Sequence, residues 1–94
     1  MREKEIAEVA AILAQWNPLG DAAAAVPDLE GYRIEASDII GAFDIFGRDM
    51  RVERIVRDVL NQAFYLSLTL AECAEPAKRI GGVLTHAKEQ RTGF

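Results

Sequence analysis

The chain carries one cysteine, one histidine, one tryptophan and three prolines in 94 residues. A single Cys73 has no partner for an intrachain disulfide, which excludes a disulfide-stapled secreted scaffold. It reads instead as a small buried apolar residue. A single His86, without a second histidine or cysteine at ligand spacing, excludes the common zinc motifs. Its place near a helix C-terminus suits a partial positive charge. Gly81-Gly82 is not followed by Lys-Ser or Lys-Thr, so there is no phosphate-cradling glycine loop. Long apolar runs are missing too. Charges recur every few residues, and no segment is expected to span a bilayer. Met1-Arg2-Glu3-Lys4-Glu5 lacks the basic and then apolar pattern of a secretory signal. The expectation is a cytoplasmic protein with no membrane contact. Basic charge is in deficit, the net charge being −4. Phosphates repel such a surface, which argues against a nucleic-acid partner.

What is present points to a folded chain. Half the residues are apolar, too many for disorder throughout. Residues 1–94 suit a single helical domain, but one so short buries less of its surface than a larger one. It needs close helix packing or a partner chain. Charge is uneven along the chain. Residues 1–50 hold four basic and ten acidic side chains, a balance of −6, and residues 51–94 hold seven and five, a balance of +2. That polarity suits head-to-tail contacts or an acidic partner.

Apolar periodicity predicts an all-α fold, a small helical bundle of three main helices plus a C-terminal helix. Ile6, Val9, Leu13 and Trp16 recur at spacings of three and four and predict a first helix over about 2–15. Pro18 ends it, and Gly20 can take a positive φ. A connector follows, with a short helical turn over 22–26 capped by Asp21 and interrupted by Pro27. Ala36, Ile39, Ile40, Phe43 and Phe46 predict a second helix over about 32–46, with Gly47 as its C′ residue. Asp49 is placed to cap a third and longest helix, about 50–74, whose core face holds Val52, Ile55, Val56, Val59, Leu60, Ala63 and Phe64. Phe64 to Leu70 alternates as a strand does, but no pairing partner is evident, so the helix is continued through it. Pro76 then starts the last helix, with a stripe of Ile80, Val83, Leu84 and Ala87. Gly81-Gly82 weakens that helix, and residues 91–94 are expected to fray.

The most specific motif is Trp16-Asn17-Pro18-Leu19-Gly20 at the end of the first helix. Trp16 can bury a large ring, Asn17 can accept a backbone hydrogen bond, and Pro18 and Gly20 set the reversal. The motif resembles a domain of unknown function, a family of small uncharacterised bacterial helical proteins with a Trp-Asp-Pro-Ile/Leu-Gly turn after the first helix. There a tyrosine-bearing second helix and an apolar third helix follow. Glu30-Gly31-Tyr32 and the Ile55–Phe64 run stand at those places here. The resemblance covers about 6–64. It departs at Asn17, where the family usually has aspartate, and in the extra chain from Tyr65 onward. It implies a compact helical fold and no known activity, so it transfers no catalytic residues.

Two constellations bear on chemistry. Glu5 with Glu8, and Glu35 with Asp38, are i, i+3 pairs that share a helix face. On facing helices the four carboxylates would suit Mg²⁺, and the spacing looks like the acidic signature of all-helical nucleoside-triphosphate pyrophosphatases, which would use the metal to activate water. With fifteen acids in 94 residues, composition alone supplies such pairs. No catalytic residue, metal site or cofactor is therefore expected. Arg48, Arg51, Arg54 and Arg57 repeat every third residue and can contact an anion or an acidic peptide. Local pairing of Glu53 with Arg57 and Arg54 with Asp58 explains them better, as a solvated and salt-bridged face. Phe64, Tyr65, Leu66, Leu68 and Leu70, read as helix, project in nearly every direction. One small monomer has too little mass to cover them all, which predicts an association surface and a homodimer. The alternative is that the C-terminal helix folds back and covers the second face within one chain through Ile80, Val83 and Leu84. The leading expectation is a non-enzymatic interaction module, with the hydrolase and an anion-binding regulator as alternatives.

Overall fold

In the computed structural model residues 3–26, 30–47 and 49–92 are described, with the backbone alone at 30 and 87–92. Four α-helices follow one another: α1 (Glu3–Trp16), α2 (Arg33–Phe46), α3 (Val52–Phe64) and α4 (Leu70–Thr92). Short 3₁₀ turns at Gly20–Ala25 and Glu30–Tyr32 join α1 to α2. The described residues contain no strand, so the all-helical expectation holds. None of their helices is long and apolar enough to cross a membrane.

Each helix packs against two others: α1 against α2 and α4, and α3 against α2 and α4. Every helix contributes to one buried cluster. Val9, Ile12 and Leu13 come from α1, Ala36, Ile39 and Ile40 from α2, Ile55, Val56 and Leu60 from α3, and Cys73, Ala77, Ile80 and Leu84 from α4. Most of these stand in the stripes that the three-and-four spacing predicts, because each helix hides one face. Phe46 and Ala63, expected in those stripes, are exposed in the last turns of α2 and α3. The expected stripe member Ala87 has a side chain outside the described residues.

The first helix ends as the motif requires, through a left-handed residue. Asn17 takes φ 50° and its N–H donates to the Leu13 carbonyl at 2.7 Å. Asparagine tolerates that conformation, and Pro18, without an N–H, cannot extend the helix. Gly20 takes φ 59°, as expected.

Four boundaries differ from the sequence expectation. Asp21 lies inside the short 3₁₀ turn and does not cap it: the N-cap is Leu19, without a side-chain capping bond. Gly47 is not a left-handed C′ residue: its φ is −62°. It must be small because a Cβ there would lie 2.5 Å from the Phe43 carbonyl oxygen. Asp49 does not cap α3. The N-cap is Arg51, in extended conformation and without a side-chain capping bond.

The largest difference lies at 65–76, where the expected long third helix is cut. Tyr65 turns left-handed at φ 55°. The N–H groups of Tyr65 and Leu66 both close on the Asn61 carbonyl, a Schellman-type ending. Residues 66–69 then run without regular structure, and α4 begins at Leu70, well before Pro76. Pro76 is carried inside α4 and is buried there. The helix starts early because Thr69 and Glu72 form a reciprocal cap. The Glu72 N–H donates to Thr69 Oγ1 at 3.1 Å, and Glu72 Oε1 accepts from the Thr69 N–H at 2.9 Å.

Candidate functional site

The turn after α1 is tied to the start of α2. The Tyr32 hydroxyl donates to Asn17 Oδ1 at 2.6 Å and accepts from the Leu19 N–H at 3.4 Å. Asn17 Nδ2 donates to the Gly20 carbonyl at 3.2 Å. Asn17 therefore donates to the backbone and accepts from a phenol, whereas the sequence suggested that it accepts from the backbone. Tyr32 is 2 % exposed, and its ring meets Phe64 edge to face at 6.1 Å between centroids. Burial pushes its hydroxyl pKa up, with the Leu19 hydrogen bond opposing and the Glu35 charge adding. Gly31 and Tyr32 are both left-handed, at φ 65° and 66°. Such a conformation costs a tyrosine on the order of 1 kcal/mol, and two hydrogen bonds and full burial offset it here.

Trp16 is half-buried against the core. It lines a cleft between α1 and α4 with Gln15, Glu72, Glu75, Pro76 and Arg79. Arg79 donates to Gln15 Oε1 at 2.7 Å across the same gap. Leu19 and Pro18 are half-buried and Gly20 is exposed.

The four carboxylates do not assemble. Glu5 and Glu8 lie on α1 and Glu35 and Asp38 on α2, but among the described residues no three acidic, cysteine or histidine groups gather in a metal-binding arrangement. The four differ in environment, since Glu8 and Asp38 are exposed and Glu5 is half-buried. Glu35 is 8 % exposed, and its Oε1 has no hydrogen-bond partner. Burial raises its pKa first, its own backbone amide works against that, and the Asp38 charge adds to it.

The arginines separate as well. Arg48 lies outside the described residues. Arg57 turns to its neighbour Asp58, its Nε at 3.0 Å and its Nη2 at 2.9 Å from Oδ1. Arg54 reaches the same carboxylate at 3.9 Å, one of the two pairings expected from the i, i+4 spacing. The other, Glu53 with Arg57, does not form, because Arg57 is drawn to Asp58. Arg51 and Arg54 line an open cleft with Asp49, Met50, Glu53, Leu70 and Ala71. Cys73 is fully buried, and burial pushes its thiol pKa up. His86 is exposed.

The Phe64–Leu70 segment is neither a continuous helix nor a strand in a sheet. Asn61 Oδ1 accepts from the Leu68 N–H at 2.9 Å, and Asn61 Nδ2 donates to the Leu68 carbonyl at 3.2 Å. One side-chain amide thus pairs with both backbone groups of Leu68, as a neighbouring strand would. The alternation in sequence is real: Leu66 and Leu68 are half-buried while Ser67 and Thr69 are exposed. Phe64 and Leu68 pack against the core. The apolar surface expected of a helix here is therefore reduced to Tyr65, 95 % exposed, and Leu70, 44 % exposed.

The sequence reading missed the Thr69–Glu72 cap and the Asn61 clamp. A Thr-x-x-Glu spacing ahead of an apolar stretch was the available signal for the cap. For the clamp there was none, since an asparagine seven residues away says nothing of pairing. Compared with protein-family models, with curated proteins and with solved structures, the chain has no match in any of the three.

Proposed function

We propose that this protein is a non-enzymatic interaction module that associates with a second copy of itself, with Tyr65 in the contact surface. The observation that supports this is a side chain that breaks a local rule without local compensation. Tyr65 occupies the left-handed position that ends α3, where glycine or asparagine fits best. It is also 95 % exposed. Tyr32 shares the strained conformation but gains burial and hydrogen bonds in return. Tyr65 gains neither within its own chain, and a large amphipathic ring is an effective contact in an interface.

Tyr65→Gly separates folding from association. Relief of the left-handed strain should raise the stability of the dissociated chain in urea, compared at concentrations low enough that the wild type is also dissociated, by about 1 kcal/mol. Loss of the ring should lower the mass seen by light scattering at micromolar concentration toward one chain. A wild-type protein of monomeric mass would overturn the reading. A Tyr65→Gly variant that associates as the wild type does would remove Tyr65 from the surface.

A further inference from the structure

The stretch Asp49-Met50-Arg51-Val52-Glu53-Arg54 opens α3 with charges of both signs. Asp49, Arg51, Glu53 and Arg54 border an open cleft of about 500 Å³ together with Met50 and Leu70. Met50 is half-buried against the core and Leu70 keeps 44 % of its surface exposed, so the cleft has an apolar floor. Its rim is uncommitted. Among the described residues Asp49, Arg51 and Glu53 have no ion-pair partner, and Arg54 has only the loose contact to Asp58 at 3.9 Å.

A rim of one sign would suit a ligand of the other. This rim carries two acids and two arginines in six residues. Such a surface is complementary to itself, because under a two-fold rotation every contact of an acid with an arginine is repeated in the opposite direction. We propose that this cleft is a contact between two copies of the chain, in which Arg51 and Arg54 of each copy face Asp49 and Glu53 of the other over Met50 and Leu70. The inference rests on the self-association reading above and adds to it, besides Tyr65, a second part of the contact and the charges that set its register. Opposite charges across an interface chiefly fix register and reject wrong partners, so the pairing is read best by exchanging signs.

Two double variants make the test: Arg51→Glu with Arg54→Glu, and Asp49→Arg with Glu53→Arg. Asp49, Arg51 and Arg54 are exposed and Glu53 is half-buried, and circular dichroism should show wild-type helicity. Each variant alone places like charges opposite one another and should raise the dissociation constant of the dimer by about tenfold or more. Mixed in equal amounts, the two restore opposite pairing, and sedimentation should show the mass of a heterodimer. If both variants remain dimeric alone, the cleft is not the contact and the self-association reading stands. If the wild type is monomeric, both fall. Variants that separate but do not recombine overturn the charge pairing. Should either reversal reduce helicity, the wild-type dimer decides the matter: it should weaken between about 50 and 500 mM salt as its rim charges are screened, and insensitivity to salt would overturn the proposal.

Discussion

Glu35 shows how one carboxyl can oppose the fold that holds it. It lies in the first turn of α2, where the helix dipole favours an anion. Burial wins over that attraction, and the pKa is raised. The folded state therefore holds the proton more tightly than the unfolded chain does. Stability from this group is full below the ordinary carboxylate range and is lost as pH rises through the raised value. Wild-type urea midpoints should accordingly fall between about pH 4 and pH 7 by more than those of Glu35→Gln. The variant should also be the more stable of the two at neutral pH, since an amide of the same shape carries no charge to desolvate. Parallel pH profiles for the two proteins would show that Oε1 finds a partner in solution.

At the scale of elements, the ends of helices decide more than their middles. Nothing in the apolar stripe stops α3 at Phe64. Local bonds do so: the closure on the Asn61 carbonyl, the Asn61 side chain on Leu68, and the Thr69–Glu72 cap. Thr69→Ala removes one acceptor for the free amides of α4 and should cost about 1 kcal/mol. Hydrogen exchange should quicken in the first turn of α4 and remain slow around Ile80. Uniform loss of protection along α4 would mean that the cap is coupled to the whole fold. The same element explains why Pro76 did not mark a boundary. A proline removes one backbone bond from a helix interior, but here it is buried within a helix that its cap has already begun and that Cys73, Ala77 and Ile80 hold in the core.

For the whole molecule, packing of each helix on two neighbours encloses one core in a chain with a Cα radius of gyration of 12.8 Å. So small a domain has limited stability of its own. The dimer proposed above would add to it by mass action, because a second copy would bind only the folded state. The melting temperature should therefore rise with protein concentration across the micromolar range. A melting temperature independent of concentration would describe a chain that folds alone, and with it the self-association reading would fail.

Much of this was legible in the sequence because it is local. The spacing of Val9 with Leu13, of Ile39 with Ala36, and of Ile55 with Val56 and Leu60 dictates which helix faces are hidden, whatever they meet. Asn17, Pro18 and Gly20 dictate a reversal through their own backbone preferences. The rest depends on distance in space. Whether Glu5, Glu8, Glu35 and Asp38 converge is a matter of how α1 rotates against α2, and no i, i+3 spacing contains it. Whether Phe64 to Leu70 continues a helix turned on an asparagine side chain reaching Leu68. Which of its apolar residues stay in water followed from that turn: Phe64 and Leu68 were drawn into the core, and Tyr65 was left outside. Periodicity determines what each segment hides, but only the packing of the segments decides what the molecule leaves exposed.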